Sequence, residues 1–219
     1  MRSFILISIS LLVFSCRDIE SPSELGNING YEVRGKVATT NGIPIESVQV
    51  SLYYYYEYIS DKQLDTVEII ITDTMQVLDI TVLSNKLKEV RKIFSGRWKT
   101  LGPVQHIYWN GRDDNNNPVP SGLYYMVFTL DSVVVKQNNM IIEGHGTTVT
   151  DYYGRFILPN ENLPVGAVFD AYSDDGNFYG VLKVEPKIAL ILNKRQSVAT
   201  YESIQLMKNT ITSLVLTLE

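Results

Sequence analysis

Beyond residue 30 no stretch of this sequence carries the apolar period of a long amphipathic helix. Short runs rich in Val, Ile, Thr, Tyr and Phe recur instead, cut by Gly, Asn, Asp and Pro. A chain built this way hides its apolar side chains between sheets, so the pattern predicts an all-β, sandwich-like fold. Strands are expected at 31–38, 47–58, 66–72, 77–83, 89–94, 105–109, 122–130, 133–136, 146–150, 154–158, 167–172, 179–184, 201–207 and 212–218. Residues 187–198, with the run IALIL, suit either a strand or one turn of helix.

The run VQVSLYYYYEY at 48–58 shows the two faces of a strand. Val48, Val50, Leu52, Tyr54, Tyr56 and Tyr58 fall on one face, which reads as core. Ser47, Gln49, Ser51, Tyr53, Tyr55 and Glu57 fall on the other, which begins polar and then turns aromatic. Tyr53 and Tyr55 are therefore a candidate interaction surface, expected to pack between two domains. Plain exposure on an edge and a sugar-stacking platform are the other readings of the same pair.

The N-terminus reads Met1-Arg2-Ser3, then the apolar run Phe4–Phe14, then Ser15-Cys16. One positive charge followed by a short apolar run marks a secretory signal, too short to span a bilayer comfortably. Val13, Ser15 and Cys16 resemble a bacterial lipobox, in which the Cys receives lipid. Val13 and Ser15 also suit ordinary signal cleavage. Cys16 is the sequence's single Cys, which favours lipidation and excludes an intrachain disulfide. Residues 1–15 are thus expected to be a lipoprotein signal peptide and 16–29 a polar tether.

Two further resemblances interleave. Val33-Arg34-Gly35-Lys36-Val37, Asn41-Gly42-Ile43-Pro44-Ile45 and Val48-Gln49-Val50 resemble the start of a carboxypeptidase-regulatory-like (transthyretin-like) β-sandwich. Its usual continuation stands much later, as Thr150-Asp151-Tyr152-Tyr153-Gly154-Arg155-Phe156, followed by Leu163-Pro164-Val165-Gly166 and a closing strand through Val215-Leu216-Thr217-Leu218. Between them, Ile107-Tyr108-Trp109-Asn110-Gly111-Arg112-Asp113 and Val119-Pro120-Ser121-Gly122-Leu123-Tyr124 are similar to the Ig-like domain of flagellar hook-capping (FlgD-type) proteins. Asn116 and Leu87 stand where that family has Gly. Together the resemblances imply two nested β-sandwich domains: 30–59 with 144–219 as one discontinuous sandwich, and 60–143 inserted in it.

The stretch WNGRDDNNN at 109–117 gathers oxygen donors that would suit a hard cation. Its spacing does not match an EF-hand loop, and Asp and Asn bond their own backbone in tight turns, so a structural turn is expected and no metal. His145 has no nucleophile in a Gly-x-Ser-x-Gly elbow to serve, and Ser173-Asp174-Asp175-Gly176 reads as a turn. With two His far apart in sequence, a zinc site would have few ligands. No cofactor fingerprint is present. A net charge of -5 without a basic cluster argues against nucleic acid as partner. The sequence therefore points to a non-enzymatic protein of the cell envelope, held to the outer membrane by lipid on Cys16, with a protein or glycan partner. A carbohydrate- or peptide-binding lipoprotein and an accessory module of a hydrolase are the alternatives.

Overall fold

The alternating run at 48–58 becomes an inner strand of the largest sheet. The structure is a computed structural model that describes residues 29–64, 66, 68–104, 107–173 and 176–219. Among them there is no α-helix, only a 3-10 turn at Asn160–Asn162, and the fold is all-β.

The first of two hydrophobic cores lies between two sheets. One sheet places β1 (Tyr31–Ala38) between β10 (Arg155–Leu158), antiparallel, and β14 (Thr210–Thr217), parallel. The other runs β11 (Val168–Tyr172), β12 (Phe178–Lys194), β2 (Gln49–Ser60), β9 (Gly146–Val149), with β13 (Ser197–Gln205) on β12. Val33, Val37, Val50, Leu52, Leu158, Ile188, Leu190 and Leu192 are buried between the sheets, as the alternation requires. Pro186 cannot donate to a ladder, and the β2–β12 register breaks between Val184 and Ile188 around it. Gly35 is needed for packing: a Cβ there would lie 2.1 Å from the Phe156 ring that covers it.

The second core belongs to a sheet in the order β5 (Glu89–Arg97), β4 (Val77–Ser84), β7 (Gly122–Leu130), β8 (Val133–Ile142). A short pair, β3 (Ile70–Ile71) with β6 (Gly102–Pro103), adds Ile71 and its neighbour Ile69 to that core. Leu78, Ile80, Val82, Met126 and Phe128 alternate inward, and Trp109 packs edge-on against Tyr124. The β7–β8 hairpin turns on Asp131 and Ser132, both at positive φ, the geometry that matches strand twist. Leu87 stands at φ 57, and the turn keeps its register through Leu87 N–H to Ser84 O (2.9 Å) and Ser84 N–H to Lys88 O (2.8 Å). The fold thus accepts a left-handed Leu where Gly would be unstrained.

Several expected elements shift. The 66–72 strand shrinks to Ile70–Ile71. Residues 107–109 of the expected 105–109 strand pair with nothing in a sheet, while Gln105 and His106 lie outside the described residues. The 179–184 strand and the ambiguous 187–198 segment fuse into the single bent β12, so IALIL is strand. Asp174 and Asp175 lie outside the described residues; around them Ser173 N–H bonds Asn177 O at 2.9 Å and joins β11 to β12 as a hairpin.

Gly35→Ala should destabilise the fold by about 1–3 kcal/mol, the usual range for overpacking a filled core. Urea unfolding checks it. The Gly35→Ala/Phe156→Leu pair should lose less than the sum of the two single variants, because they share one contact.

Candidate functional site

The chain crosses between the two cores after β2 and again after β8, and the second crossing lies against the middle of β2. Alternation along β8 divides its end: Ile141 packs against the first core, Met140 and Ile142 against the second. Glu143 follows at once. One of its carboxylate oxygens accepts the Tyr54 backbone N–H (3.0 Å) and the Tyr56 hydroxyl (2.7 Å). The carboxylate thereby satisfies the edge of β2 where β9 no longer pairs with it. Next, Gly144 N–H donates to Leu52 O at 2.9 Å.

The 3-10 turn wedges into the same seam. Tyr54 donates its hydroxyl to Asn162 O (2.8 Å), and Asn162 donates Nδ2 to Ser121 O (2.8 Å). Asn85 Nδ2 donates to Glu161 O (2.8 Å), and Lys86 pairs with the Glu161 carboxylate at 2.6 Å. Ser121 is fully buried and donates Oγ to Leu52 O at 3.2 Å. On the far side, Asn139 Nδ2 reaches Val168 O at 2.9 Å. Burial, and then the neighbouring Glu143 charge, push the Tyr54 and Tyr56 hydroxyls far above the ordinary phenol range. Burial alone pushes Tyr124 up to about 12.

Tyr53 is half-buried beside this seam, its ring and hydroxyl close over Gly144. Tyr55 is placed differently from the expectation that both pack between domains. It stands opposite the break at Pro186, its ring carries Lys187 Nζ at 4.1 Å from the centroid, and its hydroxyl accepts Ser203 N–H at 3.3 Å. Ser203 is itself at positive φ beside the β12–β13 bulge, so Tyr55 satisfies a donor that the bulge frees. Tyr55 thus meets β12 and β13, which belong to the sheet of the first core. Tyr54 and Tyr56, assigned to the core, are the tyrosines whose hydroxyls reach the seam. Glu143, Ser121 and Asn162 were not anticipated; the abrupt carboxylate after Met140-Ile141-Ile142 was their one sequence signal. Cys16 lies outside the described residues.

The 110–117 loop is closed upon itself. Asp113 Oδ1 accepts the N–H groups of Asn115 (2.9 Å) and Asn117 (2.8 Å), and Asn116 takes φ 63. Asp114 Oδ1 accepts Lys92 N–H at 3.2 Å, and Trp109 Nε1 donates to Arg112 O at 2.7 Å. Among the described residues no group of three His, Cys, Asp or Glu side chains is placed to hold a metal ion. His145 Nδ1 lies 3.1 Å from Val119 O and serves that carbonyl, while Ser121 is spent on backbone carbonyls. Compared with known proteins, the chain matches no family model, no curated protein and no solved structure.

The raised Tyr54 and Tyr56 hydroxyls set a pH window. Both states are protonated below the unfolded pKa of about 10, so their contribution is complete there. Above it the unfolded chain loses protons that the folded chain keeps, and stability falls as pH rises. Tyr56→Phe should flatten that decline by about 1.4 kcal/mol per pH unit, read from urea unfolding between pH 10 and 11.5. Separately, Asp113→Ala should lower stability by about 1 kcal/mol through its lost turn bonds, and millimolar calcium should leave the melting temperature of both proteins unchanged.

Proposed function

We propose that this chain is a lipid-anchored, extracytoplasmic, non-enzymatic interaction protein of a bacterial cell envelope. Two nested β-sandwich modules, 30–59 with 144–219 and 60–143, act in it as one rigid body. The seam carries this reading: Ile141, Glu143, Ser121 and Asn162 tie the modules together with side chains that a catalytic centre would leave available. Domains joined only by a flexible tether move independently, whereas a hydrogen-bonded junction with a shared strand transmits position and load.

The anchor side of the reading rests on the apolar run Phe4–Phe14 ending at the single Cys. Lipid on Cys16 would hold the chain through burial of acyl CH2 groups, at about 0.8 kcal/mol each. Tyr31 N–H bonds Asn160 Oδ1 at 2.9 Å, so β1 begins beside the seam. From there β1 runs away to Ala38, and the 39–45 and 151–154 turns lie at its far end. The body would thus present those turns away from the membrane.

Mass spectrometry of the mature N-terminal peptide should show lipid mass on Cys16, and Cys16→Ala should release the protein from membranes. An unmodified Cys16 in membrane-extracted protein would sink the reading.

A further inference from the structure

The outer face of the β10–β1–β14 sheet carries charge that no ion pair among the described residues neutralises. Lys36 on β1 is directly opposite Arg155 on β10, and both are exposed. Side chains so paired stand about 5 Å apart at Cβ, and like charges there are destabilising. Arg34, on the same face of β1, pairs with Glu32 at 2.6 Å. Neither Lys36 nor Arg155 has an ion-pair partner among the described residues, although the whole chain is acidic at -5.

Apolar and aromatic groups flank these cations. Val215, the other cross-strand partner of Lys36, is 82% exposed, and Ile157, opposite Arg34, is 52% exposed. Tyr152 and Tyr153 are exposed at the start of β10, and the Arg155 guanidinium lies 5.1 Å from the centre of the Tyr153 ring. Their turn is rigid. Asp151 Oδ1 accepts Tyr153 N–H (2.9 Å) and Arg155 N–H (2.8 Å), and Gly154 at φ 72 sits so close to Val37 O that no Cβ fits. Preordered Tyr and Arg side chains lose little entropy on binding and dominate protein interfaces. The two Tyr rings meet at 84°, which denies a sugar one flat surface to stack on. Another exposed apolar edge, Val133–Val135 on β8, is interrupted by a bulge opposite Phe128 and Thr129, a device that blocks strand addition.

We propose that this face, with Lys36, Arg155, Tyr152, Tyr153, Ile157 and Val215, docks a protein partner presenting carboxylates beside apolar side chains. The assignment rests on the interaction reading above. Carboxylates would neutralise the Lys36–Arg155 repulsion, which no ion pair among the described residues offsets, while Val215 and Ile157 would lose water.

The test uses the full chain in detergent micelles and fluorescence anisotropy with a labelled (Glu-Val)4 peptide. Binding should occur, weaken with added salt, and exceed that of (Lys-Val)4. Lys36→Glu, which creates an opposite-charge pair with Arg155, should weaken it about tenfold or more while raising the melting temperature by about 1–3 °C. A variant that is more stable and binds less well excludes misfolding as the cause. Lys36→Glu/Arg155→Glu should reverse the preference towards (Lys-Val)4. The proposal is overturned by equal (Glu-Val)4 affinity in wild type and Lys36→Glu, or by no binding at millimolar peptide. It is equally overturned if oligogalacturonate binds more tightly, which assigns the face to anionic glycan. Tighter binding by a peptide of residues 17–29 would assign it to the chain's own acidic segment, and dimerisation abolished by Lys36→Glu would assign it to a second copy. Any of these failures alongside a lipid-bearing Cys16 leaves the anchored, non-enzymatic reading standing.

Discussion

The end of β8 faces two hydrophobic cores at once, and the architecture depends on that. A strand shows opposite faces at successive residues, so Met140 and Ile142 can fill one core while Ile141 fills the other. At this crossing the strand passes from one core to the other with no residue between them. The arrangement also explains why Glu143 is where it is. The residue after the shared strand arrives beside the unpaired edge of β2, whose backbone donor needs an acceptor away from water.

Polar groups taken into the interior are matched to partners throughout. Thr150, almost fully buried, accepts Val48 N–H at 2.9 Å and donates to Ile45 O at 2.7 Å, fixing the approach to β2. Among the described residues no buried side-chain nitrogen or oxygen lacks a hydrogen-bond partner. An unpaired buried group costs about 1–3 kcal/mol, so a junction this polar is stable only when complete. Edges are treated in the same way. The Tyr201 hydroxyl accepts Thr217 N–H (2.7 Å) and donates to Thr217 O (2.6 Å), standing in for a neighbouring strand at the rim of β14.

The sequence made the strands legible wherever burial alternates strictly. β1 and β7 run over the expected residues, and Val48 to Tyr54 point inward as read. It was less informative where one residue redirects the backbone. Pro186 does not end the strand it interrupts; it bends β12, so two expected elements are one. The candidate junction was legible only in outline. The sequence shows an aromatic face on β2; Tyr53 lies over Gly144, and Tyr54 and Tyr56 also reach the seam because a long side chain on the inner face can extend past the edge of its own core. Glu143, Ser121 and Asn162 come from three separate segments, and no local pattern links residues that meet only after folding. The Lys36–Arg155 opposition is likewise invisible until register is known, since the two are far apart along the chain.

The pairing of β1 has a consequence for how the molecule forms. Its antiparallel neighbour begins at Arg155, and its parallel neighbour ends at Thr217, two residues before the final Glu219. Every ladder that β1 makes therefore closes a loop through most of the chain, and such contacts form slowly because loop entropy is lost before they reward it. β1 has no ladder partner until β10 has been made, and its second arrives only with β14. The local hairpins β4–β5 and β7–β8 need no such wait. The second core can thus condense first, and it holds the crossings of the first together while β14 arrives.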